Sequence, residues 1–248
     1  MQSKIKEIVK EAGEILKEGF YGKKEVKTKT SEIDLVTEYD VRIEEYLKEM
    51  FEEYFPEFNF IGEESDNLEN YINDKELKNY FVVDPIDGTS NFVKGFPYVS
   101  ISVAVYKEGK EYYGIVYNPI MNELYEASAR SGEAFLNNKK IEVKKGNKKN
   151  LLCSTYISRR KQNTPKIEED IINTLTNEYS DKRTVNSAAL ELCYVARGIY
   201  GLYAVNLIKP WDIAAGAIIL KEAGGVIETL FGEEINILKV ENIKAISY

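Results

Sequence analysis

The chain has no histidine in its 248 residues. That absence excludes a Ser-His-Asp hydrolase, a histidine zinc site and a phosphohistidine intermediate. Cysteine is nearly absent as well: Cys153 and Cys193 are far apart, form no CxxC pair and sit in apolar stretches. They read as reduced core thiols, and structural zinc is disfavoured. No apolar run approaches the roughly 20 residues of a spanning helix. The first residues are charged and amphipathic, without the apolar core of a signal peptide, so a cytoplasmic location is the default expectation. GxGxxG and GxxxxGK[ST] are missing, which removes support from nucleotide-fold readings. No internal repeat or low-complexity segment is present.

A 44% hydrophobic, 30% charged composition is that of a folded globular chain long enough for one large domain or two packed subdomains. Its Lys/Glu-rich character suits a thermophile and a mesophile equally. The net charge of −8 argues against bulk binding to nucleic acid or to anionic membranes. Without imidazole, acid–base work near neutral pH falls to carboxylates, Lys, Tyr or water on a metal. The metal candidates are oxygen-loving ions, chiefly Mg²⁺ or Mn²⁺.

Periodicity predicts helices over 3–20, 39–55, 167–179, 188–197 and 213–223. Strands are expected over 58–61, 80–83, 99–106, 111–117, 123–127, 134–143, 151–156, 200–205, 226–228 and 234–248. The helix over 213–223 is apolar on nearly all sides, which implies burial, and Gly224-Gly225 closes it. The charged, apolar-free stretch 146–150 is the best boundary. It separates an N-terminal α+β subdomain, 1–146, from a C-terminal α/β subdomain, 151–248, with the site between them.

Four acids stand where an apolar element meets a turn or a helix begins: Glu63, Asp84, Asp87 and Asp212. Layered α/β architectures place functional groups at such positions. In Val82-Val83-Asp84-Pro85-Ile86-Asp87-Gly88-Thr89, Pro85 cannot donate to a ladder, so the strand is expected to end near Asp84. Gly88-Thr89-Ser90 reads as a turn into a helix whose free N–H groups suit an anion. Four converging carboxylates would repel unless cations neutralised them, so convergence would imply two or more hard metals.

Phe60-Ile61-Gly62-Glu63-Glu64-Ser65, Val83-Asp84-Pro85-Ile86-Asp87-Gly88-Thr89-Ser90-Asn91-Phe92 and Trp211-Asp212-Ile213-Ala214-Ala215-Gly216 together resemble the inositol monophosphatase family. Asp34-Leu35-Val36-Thr37 with Asp40, and Ser187-Ala188-Ala189, are similar to further blocks in the expected order. The resemblance spans about residues 5–225. It implies an α+β fold, a layered αβαβα sandwich of the sugar-phosphatase type, in a homodimer acting on a small phosphomonoester. It further implies that Glu63, Asp84 and the Ile86 carbonyl hold one Mg²⁺, and that Asp84, Asp87 and Asp212 hold a second. Glu63 would help place a third ion and its water. Thr89, bonded to Asp40, and Glu63 would activate the attacking water, while the Gly88 and Thr89 amides receive phosphate. Ile86, Asp87, Ser187, Arg183 and Asp212 complete the implied substrate site.

Two positions depart from the family pattern. Val205 stands where the inositol-type enzymes usually carry a Glu that contacts substrate hydroxyls, and Asn186 stands where Gly is frequent. Arg183 and Lys209 suggest a second anion site, which would suit a bisphosphate. Fructose-1,6-bisphosphatase and histidinol-phosphatase activities are therefore alternatives on the same site, and a 3′-phosphonucleotide is a less favoured one. A regulatory binding protein that keeps the fold without catalysis is the alternative of another class. Plainer readings stand beside the sharp ones: Asp84 and Asp87 as strand-end caps, Glu63 as a solvated turn acid, Asp212 and Thr89 as helix caps, and Asp40 as a helix-dipole partner. Lys29 is either a phosphate neighbour or a solvated charge.

Overall fold

The computed structural model describes residues 1–28, 35–65, 68–74, 76–157 and 166–247. Helix α1 (Gln2–Tyr21) is followed by the short antiparallel pair β1 (Val26–Thr28) and β2 (Leu35–Thr37), then by α2 (Glu38–Tyr54). Ile5, Ile8, Val9, Ala12 and Leu16 of α1 recur at helical spacing and are buried. Ile43, Leu47 and Phe51 do the same on α2. These two stripes cover one face of a seven-stranded sheet.

That sheet holds β3 (Asn59–Gly62), β4 (Tyr80–Asp87), β5 (Ser100–Lys107), β6 (Lys110–Asn118), β7 (Glu123–Ser128), β8 (Ala134–Leu136) and β9 (Lys139–Ile141), in sequence order. β3 runs parallel to β4, and every other pairing is antiparallel. α3 (Thr89–Lys94) leaves the end of β4. The expected strand over 134–143 is a hairpin instead. Asn137 and Asn138 both take positive φ, 50° and 64°, which are the angles a tight hairpin turn of primed type requires.

The second sheet gathers β10 (Leu152–Tyr156), and, beyond α4 (Lys166–Thr176), β11 (Asp181–Lys182). After α5 (Ala188–Ala196) come β12 (Tyr200–Asn206), α6 (Pro210–Glu222), β13 (Val226–Glu228) and β14 (Asn242–Ile246). Its order is β11-β10-β12-β14-β13. The expected strand over 234–248 is confined to β14, with a 3₁₀ turn at Ile237–Lys239 before it.

Each of the eight β4 residues is buried. Phe81 and Val83 pack with α1 and α2, while Tyr80 and Val82 pack with α5 and α6. Period-two alternation thus serves two cores at once. α5 and α6 also pack against Tyr203 and Val205 of β12, and α4 covers the far face of the second sheet through Ile172. The layers are therefore α1/α2, the seven-stranded sheet, α5/α6, the five-stranded sheet and α4: an αβαβα sandwich. α6 lies in its middle layer, which is why its apolar residues surround it. Gly114 permits that close approach, since a Cβ there would lie 2.7 Å from the Ala215 carbonyl oxygen.

β4 continues past Asp84, contrary to the expectation that Pro85 ends it. Asp84 pairs with Ser102 and Asp87 with Ser100, so one extra residue is accommodated on β4. Pro85 sits in this bulge, where a missing N–H costs no ladder bond.

Candidate active site

The bulge aims two acids at one place. Carboxylate oxygens of Asp84, Asp87 and Asp212 lie within 4.8 Å of one another. Asp84 and Asp87 come from the end of β4, and Asp212 from the first turn of α6. The Lys209 N–H donates to Asp212 Oδ2 at 2.8 Å, so the residue is a cap as well as a member of the cluster. These three acids and Glu63 line a cavity of about 700 Å³. Ile86, Gly88, Thr89 and Ser187 line it too.

Asp84 is 1% exposed, and its Oδ1 is buried without a hydrogen-bond partner. Burial, then the charges of Glu63, Asp87 and Asp212, push its carboxyl well above the usual range. Asp87 is better supported. Its Oδ2 accepts from Ser187 Oγ at 2.5 Å, Ala189 N at 2.9 Å and Ser100 Oγ at 3.3 Å, and its Oδ1 accepts from Ala188 N at 3.0 Å. Burial still outweighs these bonds and raises it to about 6. All the donors in this cluster are oxygens, one buried oxygen lacks a partner, and the negative charges oppose one another. That set fits hard divalent cations.

Asp40 is fully buried near the N-terminus of α2. Its Oδ2 accepts from Thr37 N at 2.8 Å and Thr37 Oγ1 at 2.6 Å, closing a capping box. Its Oδ1 faces Thr89 Oγ1 at 3.1 Å. The Thr89 hydroxyl is also 3.1 Å from the Ile86 carbonyl, and its single proton serves one acceptor at a time. Burial raises Asp40 to about 6, against the lowering effect of the Thr37 bonds. The capping and dipole reading of Asp40 and its link to Thr89 therefore hold together.

The loop before α5 is clamped from both sides. Asn91 Nδ2 donates to the Val185 carbonyl at 2.7 Å, and Glu191 Oε1 accepts from Val185 N at 2.7 Å. Asn186 stands at φ 58°, in the left-handed region that Asn tolerates and Gly adopts freely. Asn in place of the frequent Gly is thus compatible with the backbone.

Arg183 is not brought to the cavity. Its guanidinium is exposed and pairs with Asp181 at 2.6 Å. Lys182 lines the cavity, together with Tyr156, Glu169, Val205 and Asn206. The Lys209 side chain is exposed and does not line it. Lys182, Glu191 and Glu44 escaped the sequence reading. Glu191 had a signal, the one acid inside the apolar helix 188–197; so had Glu44, one helical turn after Asp40. Lys182 had none, since a Lys-Arg pair in a loop does not say which residue borders the cavity. Lys29 and Asp34 lie outside the described residues.

Residues 1–246 match the family model described as "Inositol monophosphatase family". The chain is 40% identical over 240 residues to "Inositol monophosphatase 3" of Solanum lycopersicum, covering 93% of this chain and 86% of that protein. It is 36% identical over 223 residues to "Nus factor SuhB" of Pasteurella multocida, covering 88% of this chain and 80% of the relative. Among solved structures it is similar to a Thermotoga maritima IMPase, with a TM-score of 0.83 at 30% identity over 97% of this chain and 89% of that one.

Proposed function

The chain belongs to the inositol monophosphatase family, and from that premise we propose that it is a Mg²⁺-dependent phosphomonoesterase acting on a small polyol or sugar phosphate. The observation that carries this reading is the convergence of Asp84, Asp87 and Asp212 within 4.8 Å, in one cavity with Thr89, whose hydroxyl faces the buried Asp40 behind it. Phosphatase function follows from the family, and the ion and the substrate are the proposal.

Glu63, Asp84, Asp87, Asp212 and the Ile86 carbonyl would hold two or three Mg²⁺, with Mn²⁺ as the alternative ion. Bound there, such cations neutralise phosphoryl oxygens and lower the pKa of water, which supplies what histidine would otherwise provide. The protein's own groups do the rest. Thr89, held by Asp40, orients the attacking water. Glu63 and the Asp40–Thr89 pair receive its proton, Asp40 being raised to about 6 and so a competent acceptor near neutral pH. Gly88 and Thr89 present backbone amides at the start of α3 to the phosphate. Ser187, Asp87 and Asp212 flank the leaving group, whose oxygen takes a proton from water as its bond to phosphorus breaks.

Val205 removes a carboxylate from the substrate wall, while Lys182 adds a cation to it. This supports a substrate other than myo-inositol phosphate, with a bisphosphate as the alternative. The two sheets divide between residues 141 and 152, which supports subdomains at 1–146 and 151–248. A homodimer is supported by exposed Phe96 and Met121. Their segments are tied together, since Asn118 Nδ2 donates to the Pro97 carbonyl and Asn118 Oδ1 accepts from Met121 N. Both cysteines are free and buried, which supports a reducing, cytoplasmic location. Among the described residues no helix is long and apolar enough to cross a membrane.

The regulatory-binding reading has a relative named "Nus factor SuhB" in its favour, but a pure scaffold needs none of the acids that converge here. Hydrolysis of a panel of phosphomonoesters, with Mg²⁺, with Mn²⁺ and with EDTA, separates the two. Metal-dependent turnover of at least one ester is expected, and none at all rejects the enzyme.

A further inference from the structure

Helix α2 buries two carboxylates on one face, Asp40 and Glu44, four residues and so about one turn apart. Asp40 reaches Thr89. Glu44, 4% exposed, reaches the turn that follows β3. Its Oε2 accepts from Glu64 N at 2.8 Å, and its Oε1 accepts from Ser65 Oγ at 2.5 Å. That turn carries Glu63, whose own N–H donates to the Val83 carbonyl at 3.2 Å. The Glu63 backbone is therefore fixed on one side to β4 and on the other to α2.

Gly62 belongs to the same arrangement. A Cβ there would lie 2.4 Å from Glu44 Oε2 and 2.6 Å from Glu44 Cδ, so only glycine leaves space for the carboxylate. Packing alone gives no reason for an acid at this position, because an apolar side chain of similar volume would fill it without the desolvation cost. What an acid adds is a pair of acceptors for two donors of one turn.

We propose that Glu44 is a positioning residue for cation binding, holding the Gly62–Ser65 turn so that Glu63 faces the Asp84–Asp87–Asp212 cluster. Helix α2 then acts as a bracket with two arms, Asp40 on the water-orienting threonine and Glu44 on the Glu63 turn. The inference rests on the metal-dependent phosphatase reading.

The test is a Mg²⁺ titration of the metal-stripped full-length chain, read by the fluorescence of Trp211. This is the only tryptophan, and it adjoins Asp212. Glu44→Gln keeps the shape and should weaken Mg²⁺ affinity by about 10-fold or more, the size seen when partners of metal ligands are removed. Ser65→Ala keeps the Glu44 charge and breaks one bond. It should weaken affinity by a few-fold, which separates positioning from a change in local charge. In both variants kcat should return toward wild type at saturating Mg²⁺, with unchanged circular dichroism. Mg²⁺ affinity within about two-fold of wild type in both would overturn the role of Glu44; should Glu44→Gln fail to fold, Ser65→Ala alone decides. A wild-type chain that neither binds Mg²⁺ nor hydrolyses any phosphomonoester would overturn the functional reading itself.

Discussion

Ser187 donates its hydroxyl to Asp87 across 100 positions of sequence, at 2.5 Å. Ala188 N and Ala189 N point at the same carboxylate, so Asp87 caps α5 while belonging to the acid cluster. The acid from β4 and the helix from the second half of the chain are locked by one group. Capping and metal ligation are compatible here because Asp87 Oδ1 accepts a single hydrogen bond, from Ala188 N, and keeps its second lone pair for a cation.

Asp87→Asn should lower turnover by more than about 100-fold, since it takes a charge from the cation site. The Asn NH₂ would also face an amide donor, costing about 1 kcal/mol in the metal-free protein. Turnover at saturating Mg²⁺ and thermal unfolding in EDTA check both. Near-normal activity would mean that Asp87 is only a cap.

Ser187→Ala leaves every charge in place and removes one donor from Asp87. The expected result is a Mg²⁺ requirement raised by about 10-fold, with most of kcat recovered at high metal. A loss of kcat that metal does not restore would place Ser187 in the chemistry instead.

Stability of the stripped protein should fall as pH rises. Asp40 and Asp87 are raised to about 6 and Glu191 to about 7, all chiefly by burial. Between the unfolded values near 4 and these folded values the native state holds more protons than the unfolded chain, so the pH slope of stability is negative. The stabilisation is complete below about pH 4 for these groups and is lost through about pH 6–7; below that window other carboxylates govern acid unfolding. In EDTA, Tm should therefore be higher at pH 5 than at pH 8, and Mg²⁺ should raise Tm most at pH 8. A metal-free Tm that climbs from pH 5 to pH 8 would contradict the burial described here.

Thr89→Ala should reduce kcat by about 100-fold with little change in KM, the size of a lost proton-transfer contribution. Thr89→Ser, which keeps the hydroxyl facing Asp40, should recover most of it. Equal losses in the two variants would show that the methyl group matters rather than the hydroxyl.

Val205 lines the cavity and pairs in register with Tyr156 on β10. Val205→Glu should raise activity on inositol phosphate relative to other phosphomonoesters. An unchanged ratio of kcat/KM values would remove the missing carboxylate as the reason for substrate choice.

Helix positions and the strand identity of 80–83 were legible because apolar periodicity is a local property. The end of β4 was not. Whether Pro85 stops a strand depends on the neighbouring ladder, and β5 accepts it through the register change between Asp84 and Asp87. Asn137-Asn138 was missed as a turn for a similar reason, since positive φ at two residues follows from the twist of the strands it joins. Arg183 and Lys182 show the limit at the site: two adjacent cations are equivalent in sequence, and only the tertiary structure pairs one with Asp181 and sets the other on the cavity rim.

The sequence by itself determined the kind of chemistry. The absence of histidine, the spacing of Asp84, Ile86, Asp87 and Thr89, and the acids at 63 and 212 are properties of residue type and order, and they point to hard cations and a phosphate. Tertiary structure decided what those residues lean on. Asp87 beneath α5, Asp40 against Thr89 and Glu44 under the Glu63 turn are contacts between elements far apart in the chain. Buried carboxylates find their partners through packing, and no pattern along the chain records which donor arrives.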